Sequence, residues 1–271
     1  MVMSNIVDIR NAEFSYNGKK SVFKNVNLSI ERGDVLCILG PNGTGKSTLI
    51  KCMNSLLKLK SGKILLKNKN IYSMKENELA KIIGYIPQSN NSTFAFSVLD
   101  IVLMGRTPHL SLTSVPGKND YKIAEEALEG LGILHLKNKT YTEISGGERQ
   151  LVLMARAIAQ QPEILLLDEP TSHLDFGNQI RTLKVIKELS KTGLSIVMTS
   201  HFPDHAFLSC NKVAIMNQGT ITEIGKPEIV VTEHNMKQAY GVDVKILDVD
   251  EHRRACIPMQ IQQPHVNAGC F

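Results

Sequence analysis

No apolar run in the 271-residue chain approaches the ~20 residues that a membrane-spanning helix requires, so no segment is expected to cross a bilayer. The opening residues Met1-Val2-Met3-Ser4-Asn5 lack the charged-then-apolar layout of a secretory leader, which makes a cytoplasmic chain the expectation. Five cysteines, Cys37, Cys52, Cys210, Cys256 and Cys270, form no C-x-x-C pair, and Cys37 sits inside an apolar run, so free thiols are expected. His252, Cys256, His265 and Cys270 fit none of the tight zinc spacings. Aromatic residues make up only 5%, and they are not interleaved with Lys58, Lys60, Lys63, Lys67 and Lys69, where positive charge concentrates. A net charge of +5 arranged in this way reads as a solvated basic face, and no nucleic-acid partner is expected.

Against these absences stands a hydrophobic fraction of 42%, enough for a large core in one sizeable domain with a subdomain. The stretch Gly40-Pro41-Asn42-Gly43-Thr44-Gly45-Lys46-Ser47-Thr48 matches G-x-x-x-x-G-K-[ST] at every fixed position. Val35-Leu36-Cys37-Ile38-Leu39 before it predicts a buried parallel strand, and Leu49, Ile50, Met53, Leu56 and Leu57 after it have the spacing of a helix over 46–57. Glycines let successive N–H groups face one concavity, and the helix start aims its unpaired N–H groups and positive dipole end at the same spot. Phosphate oxygens fit there. Lys46 offers its charge to the β- and γ-phosphates, and the Ser47 hydroxyl is placed to ligate Mg²⁺.

Upstream, 6–9, 12–16 and 26–30 predict antiparallel strands, with an Asn17-Gly18 turn signal before the third. Tyr16 closes the second, where its ring can stack on a nucleotide base. Downstream, 63–66 and 82–86 predict strands, with a short helix over 76–81 capped by Ser73. From Gln88 to about Thr142 helical segments take over, at 98–104 and 121–131, around the Pro- and Gly-containing stretch 108–119. Strand-helix-strand alternation returns with 164–167, 177–191 and 194–199, which implies a parallel sheet with right-handed crossovers. The expected fold is therefore α/β: a mainly parallel central sheet, an N-terminal antiparallel β-subdomain, and a helical subdomain of about 88–160 inserted into the core. Strands at 213–216 and 220–224 follow, and 250–271 is expected to be a tail without fixed structure beyond a domain spanning 1–249.

Ile164-Leu165-Leu166-Leu167 ends in Asp168-Glu169, two carboxylates at the sheet edge where the phosphate loop also opens. Asp168 is suited to hold Mg²⁺, and Glu169 to orient and deprotonate the water that attacks the γ-phosphate. His201 ends another strand on that edge, able to hydrogen-bond the γ-phosphate or the water. Ser145-Gly146-Gly147 opens a helix running to about Gln160 and forms a second anion site, which one nucleotide does not need. A plain capped helix is one reading. A two-fold dimer, in which each copy's helix start completes the other's phosphate site, is the second.

The ordered series formed by the phosphate loop, Gln88, Ser145-Gly146-Gly147-Glu148-Arg149-Gln150, Asp168-Glu169-Pro170, Ser172-His173-Leu174-Asp175 and His201 resembles the ATP-binding subunits of ABC transporters across residues 6 to about 245. Ile144 stands where Leu is commoner and Glu148 where Gln is usual, changes that keep the serine and glycine donors. The resemblance implies a P-loop NTPase core, ATP and Mg²⁺ as cofactors, and ATP sandwiched head to tail between two copies. It implies further that Gln88 joins Ser47 and Asp168 around Mg²⁺ and senses the γ-phosphate and the membrane partner, and that Asp175 links the two sites. Phe94-Ala95-Phe96-Ser97-Val98, then Asp100 through Gly105-Arg106-Thr107-Pro108-His109, is similar to importers of iron-siderophores, haem, cobalamin, and molybdate or tungstate. The expected partners are a second copy, two membrane-spanning permease subunits and, indirectly, an external solute-binding protein, at the cytoplasmic face of the cell membrane. A non-transport ABC ATPase of repair, translation or iron-sulfur assembly is the alternative, less favoured because neither a second cassette nor a long coiled-coil insertion is visible. The cluster Phe94, Ala95, Phe96 and Val98 is the expected groove for a permease helix, against core packing as the competing reading.

Overall fold

The computed structural model describes residues 5–88, 95–111, 113–250 and 253–259. The first third runs β1 (Asn5–Phe14), β2 (Phe23–Glu31), β3 (Val35–Leu39), α1 (Lys46–Met53), β4 (Ser61–Leu66), β5 (Lys69–Asn70), α2 (Glu76–Ile82) and β6 (Ile83–Ile86). Helices α3 (Val98–Leu103), α4 (Lys118–Gly130) and α5 (Gly146–Ala159) follow. The chain then continues through β7 (Ile164–Leu167), α6 (Phe176–Lys191), β8 (Ser195–Ser200), α7 (Pro203–Ser209), β9 (Lys212–Asn217), β10 (Thr220–Gly225), α8 (Pro227–Val230), α9 (Glu233–Tyr240), β11 (Val244–Asp250) and β12 (Arg253–Pro258).

Apolar runs without alternation belong in a sheet covered on both faces, and β3, β7 and β8 are buried at every position. They sit inside a six-stranded sheet of order β10-β9-β3-β8-β7-β6, parallel except for β10 at one edge. Successive residues serve opposite faces. Val35, Cys37 and Leu39 join the core shared with α3, α4 and α5, whereas Leu36 and Ile38 join the core shared with α1 and the antiparallel sheet β2-β1-β4-β5. Each buried Leu or Ile contributes about 1.5–3 kcal/mol on either face, so the sheet is the layer on which both cores depend. Among the described residues, no helix is long and apolar enough to cross a membrane.

Several elements differ from expectation for local reasons. The strands expected at 6–9 and 12–16 form one strand that stops at Phe14, because a bulge at Asn11 (φ 48°) absorbs the break in alternation. Gly62 of β4 lies opposite, where any Cβ would strike the Asn11 backbone. Helix α1 ends at Met53, not Leu57: Ser55 turns the chain at φ 58°, and Leu56 is left exposed. Ser73 does not cap α2. Its hydroxyl donates to the Asn70 carbonyl, while Asn70 caps a short turn at Ile71–Ser73. The expected tail is partly a hairpin, β11 with β12, held by Ile246–Cys256 and Asp248–Arg254 pairing and anchored by the Cys256 N–H donating to Asp204 Oδ1 of α7 at 2.8 Å. His252, His265 and Cys270 lie outside the described residues. Of the five clustered lysines, Lys60, Lys67 and Lys69 are ion-paired with Glu13, Glu163 and Glu78.

Candidate functional site

Because β3, β8 and β7 are adjacent and parallel, the segments following Leu39, Ser200 and Leu167 leave the sheet at one edge. The phosphate loop is the first of them. Gly43 (φ 81°) and Gly45 (φ 104°) occupy left-handed backbone, and Gly45 is the N-cap of α1 with no side chain bonded across the helix start. The first N–H groups of α1 therefore stay available to an anion. The Lys46 side chain, 4% exposed, folds back so that Nζ donates to the carbonyls of Gly40 (2.6 Å) and Pro41 (2.8 Å). Burial pushes its pKa down, against the opposing pull of Glu169, Cys37 and Asp168. Thr44 Oγ1 donates to the Pro41 carbonyl at 2.9 Å and closes the turn.

The carboxylates stand opposite. Asp168 Oδ1 accepts from Ser47 Oγ (2.8 Å) and from Thr199 Oγ1 (2.9 Å), and Thr199 Oγ1 accepts from the Glu169 N–H (2.8 Å). Ser47 and Asp168 thus bring two hard oxygen donors together, the donor set Mg²⁺ takes, so these residues fit that ion. Glu169 is 9% exposed and held at φ 48°, a left-handed conformation that costs a non-glycine residue on the order of 1–3 kcal/mol and is met at sites where aim matters. Its Oε2 accepts from Gln88 Nε2 at 2.9 Å, and its Oε1 lies 3.6 Å from His201 Nδ1. That Nδ1 is buried with no hydrogen-bond partner. Asn42, Gly43, Gly45, Lys46, Ser47, Thr48, Gln88 and Glu169 line a cleft of about 260 Å³. Tyr16 lies past the end of β1, 66% exposed, edge-on to Phe14 and with its hydroxyl 3.4 Å from Thr48 Oγ1, so a ring face is open beside the loop.

Ser145, Gly146, Gly147 and Asp175 line no part of that cleft among the described residues. Ser145 is the N-cap of α5 in a capping box: its hydroxyl accepts from the Glu148 N–H, and Glu148 Oε2 accepts from the Ser145 N–H at 2.8 Å. Those bonds hold the Glu148 carboxyl below its usual range. Asp175 caps α6, accepting from the Asn178 N–H and Nδ2 at 2.8 Å each, and the backbone bond first lowers its pKa. Gly147 faces the same Asn178 so closely that a Cβ would overlap its side chain. The start of α5 and Asp175 are therefore neighbours of each other, not of the phosphate loop in the same chain.

Two features escape sequence reasoning. Arg106 is a buried clamp: its guanidinium donates to the Ala159 carbonyl (2.8 Å), Gln161 Oε1 (3.0 Å) and Asp120 Oδ1 (3.0 Å), while His109 Nε2 meets the Gln160 carbonyl at 2.9 Å. Together they satisfy carbonyls that the end of α5 leaves unpaired. His205 of α7 is 5% exposed, and burial, with His201 adding to it, pushes its pKa down to about 4. Between its ordinary value of 6.5 and about 4 the unfolded chain binds a proton that the folded chain refuses. Stability is expected to fall as pH drops through that window and to level off below it, by up to about 3 kcal/mol. Thermal melts of wild type and His205→Asn from pH 4 to 7 check this; parallel curves would show that the buried ring does not resist protonation.

The family model described as ABC transporter matches residues 23–172. The chain belongs to this family. As an ABC ATPase it is 36% identical to the molybdate import ATP-binding protein MolC of Haemophilus influenzae, over 86% of this chain and 87% of that one. It is 37% identical to a probable iron chelatin transport ATP-binding protein of Helicobacter pylori, over 91% of this chain and 97% of that one. Among solved structures, an inward-facing putative metal-chelate type ABC transporter superposes with a TM-score of 0.84 at 33% identity, covering 95% of this chain and 98% of its counterpart. The protein is thus an ATP-binding, ATP-hydrolysing subunit with the P-loop NTPase fold.

Proposed function

We propose that this ABC ATPase energises uptake of a metal chelate or an oxyanion, as a two-fold dimer on the cytoplasmic face of two membrane-spanning permease subunits. The phosphate loop and Lys46 hold the β- and γ-phosphates, and Tyr16 offers a ring face to the base. Ser47, Asp168 and Gln88 would hold Mg²⁺, which would supply charge neutralisation on the phosphate oxygens. Glu169 takes the proton of the attacking water, and His201 hydrogen-bonds the γ-phosphate. The observation that carries the reading is the convergence of Lys46, Asp168, Glu169, Gln88 and His201 on one sheet edge, with Ser145 outside that cleft. In the dimer the Ser145 hydroxyl and the open start of α5 donate to the partner's γ-phosphate, and Asp175 sits between the two sites.

For the permease contact we favour a seat other than the expected cluster after Gln88. Of the expected groove residues, Ala95 and Phe96 are exposed, Val98 is fully buried in the core, and Phe94 lies outside the described residues. A groove of about 490 Å³ opens instead between α1, α2 and the helical insertion, walled by Leu56, Met74, Leu79, Tyr85, Met104, Pro108 and Arg156. Exposed Leu56 and Met104 give a helical segment of the permease an apolar seat. With native thiols removed, a cysteine at Leu56 or Thr107 is expected to cross-link to the permease. Failure at both positions, with a cross-link from Ser97, would return the contact to the insertion's leading edge.

The cargo reading leans on the relatives named for molybdate and iron chelate and on the metal-chelate transporter. Iron-siderophore, haem or cobalamin comes first, molybdate or tungstate second. In liposomes with the permease and solute-binding protein, loaded binding protein is expected to speed ATP hydrolysis for one of these ligands. Stimulation and uptake confined to a sugar or an amino acid would overturn the cargo class and leave the ATPase untouched.

A further inference from the structure

His201 has a buried ring nitrogen with no hydrogen-bond partner, 3.6 Å from Glu169 Oε1, so no bond of that nitrogen fixes its direction. Its aim depends on what surrounds it. The Phe202 ring lies against it with centroids 4.0 Å apart, and the His205 ring lies against Phe202 at 5.1 Å, three rings in series. His205 Nδ1 is 2.9 Å from Ser200 Oγ and 3.5 Å from Thr171 Oγ1. Ser200 immediately precedes His201, and Thr171 comes two residues after Glu169. One nitrogen therefore touches both segments that carry the reacting groups.

The direction of these bonds follows from the donors. Ser200 Oγ accepts the Phe202 N–H at 3.0 Å, which leaves its own proton to donate, and the nearest acceptor is His205 Nδ1. A ring held neutral by burial keeps one nitrogen as an acceptor, and a relay from Phe202 N–H through Ser200 to His205 results. Since Ser200 and Phe202 flank His201, this relay pins the backbone on both sides of it.

We propose that His205 is a positioning residue for hydrolysis, setting the aim of His201 at the Glu169 side of the cleft through Ser200 and Phe202, with Thr171 keeping the two segments in register. It touches neither nucleotide nor water and works only through His201. The inference rests on the assignment of His201 to the γ-phosphate.

The test compares His205→Asn, which retains a polar atom near the place of Nδ1, with His205→Leu, which retains bulk and loses the bond. In the full chain, His205→Leu is expected to lower kcat roughly tenfold to a hundredfold, because small misplacement of a reacting group costs that much, while KM for ATP stays within about twofold. His205→Asn should recover most of the loss. Equal kcat for wild type and His205→Leu, or equal loss in Asn and Leu variants tracking their melting temperatures, overturns the proposal. If His205→Leu does not fold, Ser200→Ala replaces it: removing the relay should lower kcat with KM kept, and unchanged kcat would overturn the proposal. His201→Ala separates the two readings. Retained hydrolysis there would remove the assignment of His201 itself, whereas loss there with silent His205 and Ser200 variants would remove only the positioning role.

Discussion

Glu169→Gln is expected to bind ATP like the wild type and to hydrolyse it roughly 10²- to 10⁴-fold more slowly, the range that general-base catalysis supplies. The amide is close in shape to the carboxylate, and its oxygen can still accept the 2.9 Å bond that Gln88 Nε2 gives Oε2. The bond network of the phosphate loop, from Lys46 Nζ to the Gly40 and Pro41 carbonyls and from Ser47 to Asp168, does not involve Glu169 side-chain atoms. What disappears is the basic oxygen near His201. With hydrolysis blocked, ATP should hold two copies together, since Ser145 of each would remain on the other's γ-phosphate. Nucleotide titration, single-turnover phosphate release and light scattering read the three effects separately. Turnover within tenfold of wild type would move the base elsewhere, and a variant that stays monomeric at saturating Mg-ATP with its permease present would sink the two-fold sandwich.

Lys46→Ala carries the second large effect, loss of ATP binding. An ammonium that reaches two phosphate groups contributes about 1.5–3 kcal/mol at each, so its removal weakens affinity by roughly 10²- to 10⁴-fold. The same variant tests whether Ser145 serves its own chain or the partner. Ser145→Arg blocks the start of α5 with bulk, while the phosphate loop of that chain remains whole. Mixed with Lys46→Ala, it gives a heterodimer in which one site carries both defects and the other carries neither. Hydrolysis should return in part. No return, with heterodimers seen by native mass spectrometry, would mean that each chain completes its own site.

The candidate catalytic edge was legible in the sequence because each of its residues sits near the end of a strand or the start of a helix, and those boundaries announce themselves through apolar runs and glycines. Asp168 and His201 needed only the inference that β7 and β8 run parallel to β3 in one sheet, and they do. Other features depend on positions far apart in the chain. The clamp at Arg106 joins residues 106, 120, 159 and 161, so Gly105-Arg106-Thr107-Pro108-His109 could be recognised as a family mark while its physical task stayed hidden. Its glycine lets the segment press against the Arg156 carbonyl, where a Cβ would collide. The groove beside α1 was not read from the sequence for the same reason: Leu56 and Met104 come from separate segments, whereas the Phe94 to Val98 cluster is contiguous. Helices α7, α8 and α9, of 7, 4 and 8 residues, were not anticipated from the sequence.

Helix α5 carries Ser145 at one end and the wall of the groove at the other, and its far end is fastened on several sides. Arg106 and His109 hold its last carbonyls, and the neighbouring Gln160 Nε2 donates to the Ala80 and Ile83 carbonyls beneath the groove. A rod so anchored is expected to pivot rather than fray when pushed. Its 14 residues span about 21 Å, so a tilt of about 10° at the anchored end swings Ser145 by about 4 Å. That stroke exceeds the reach of a hydrogen bond, so in the proposed dimer a push on the proposed permease groove is expected to make or break the Ser145 contact with the partner's phosphate.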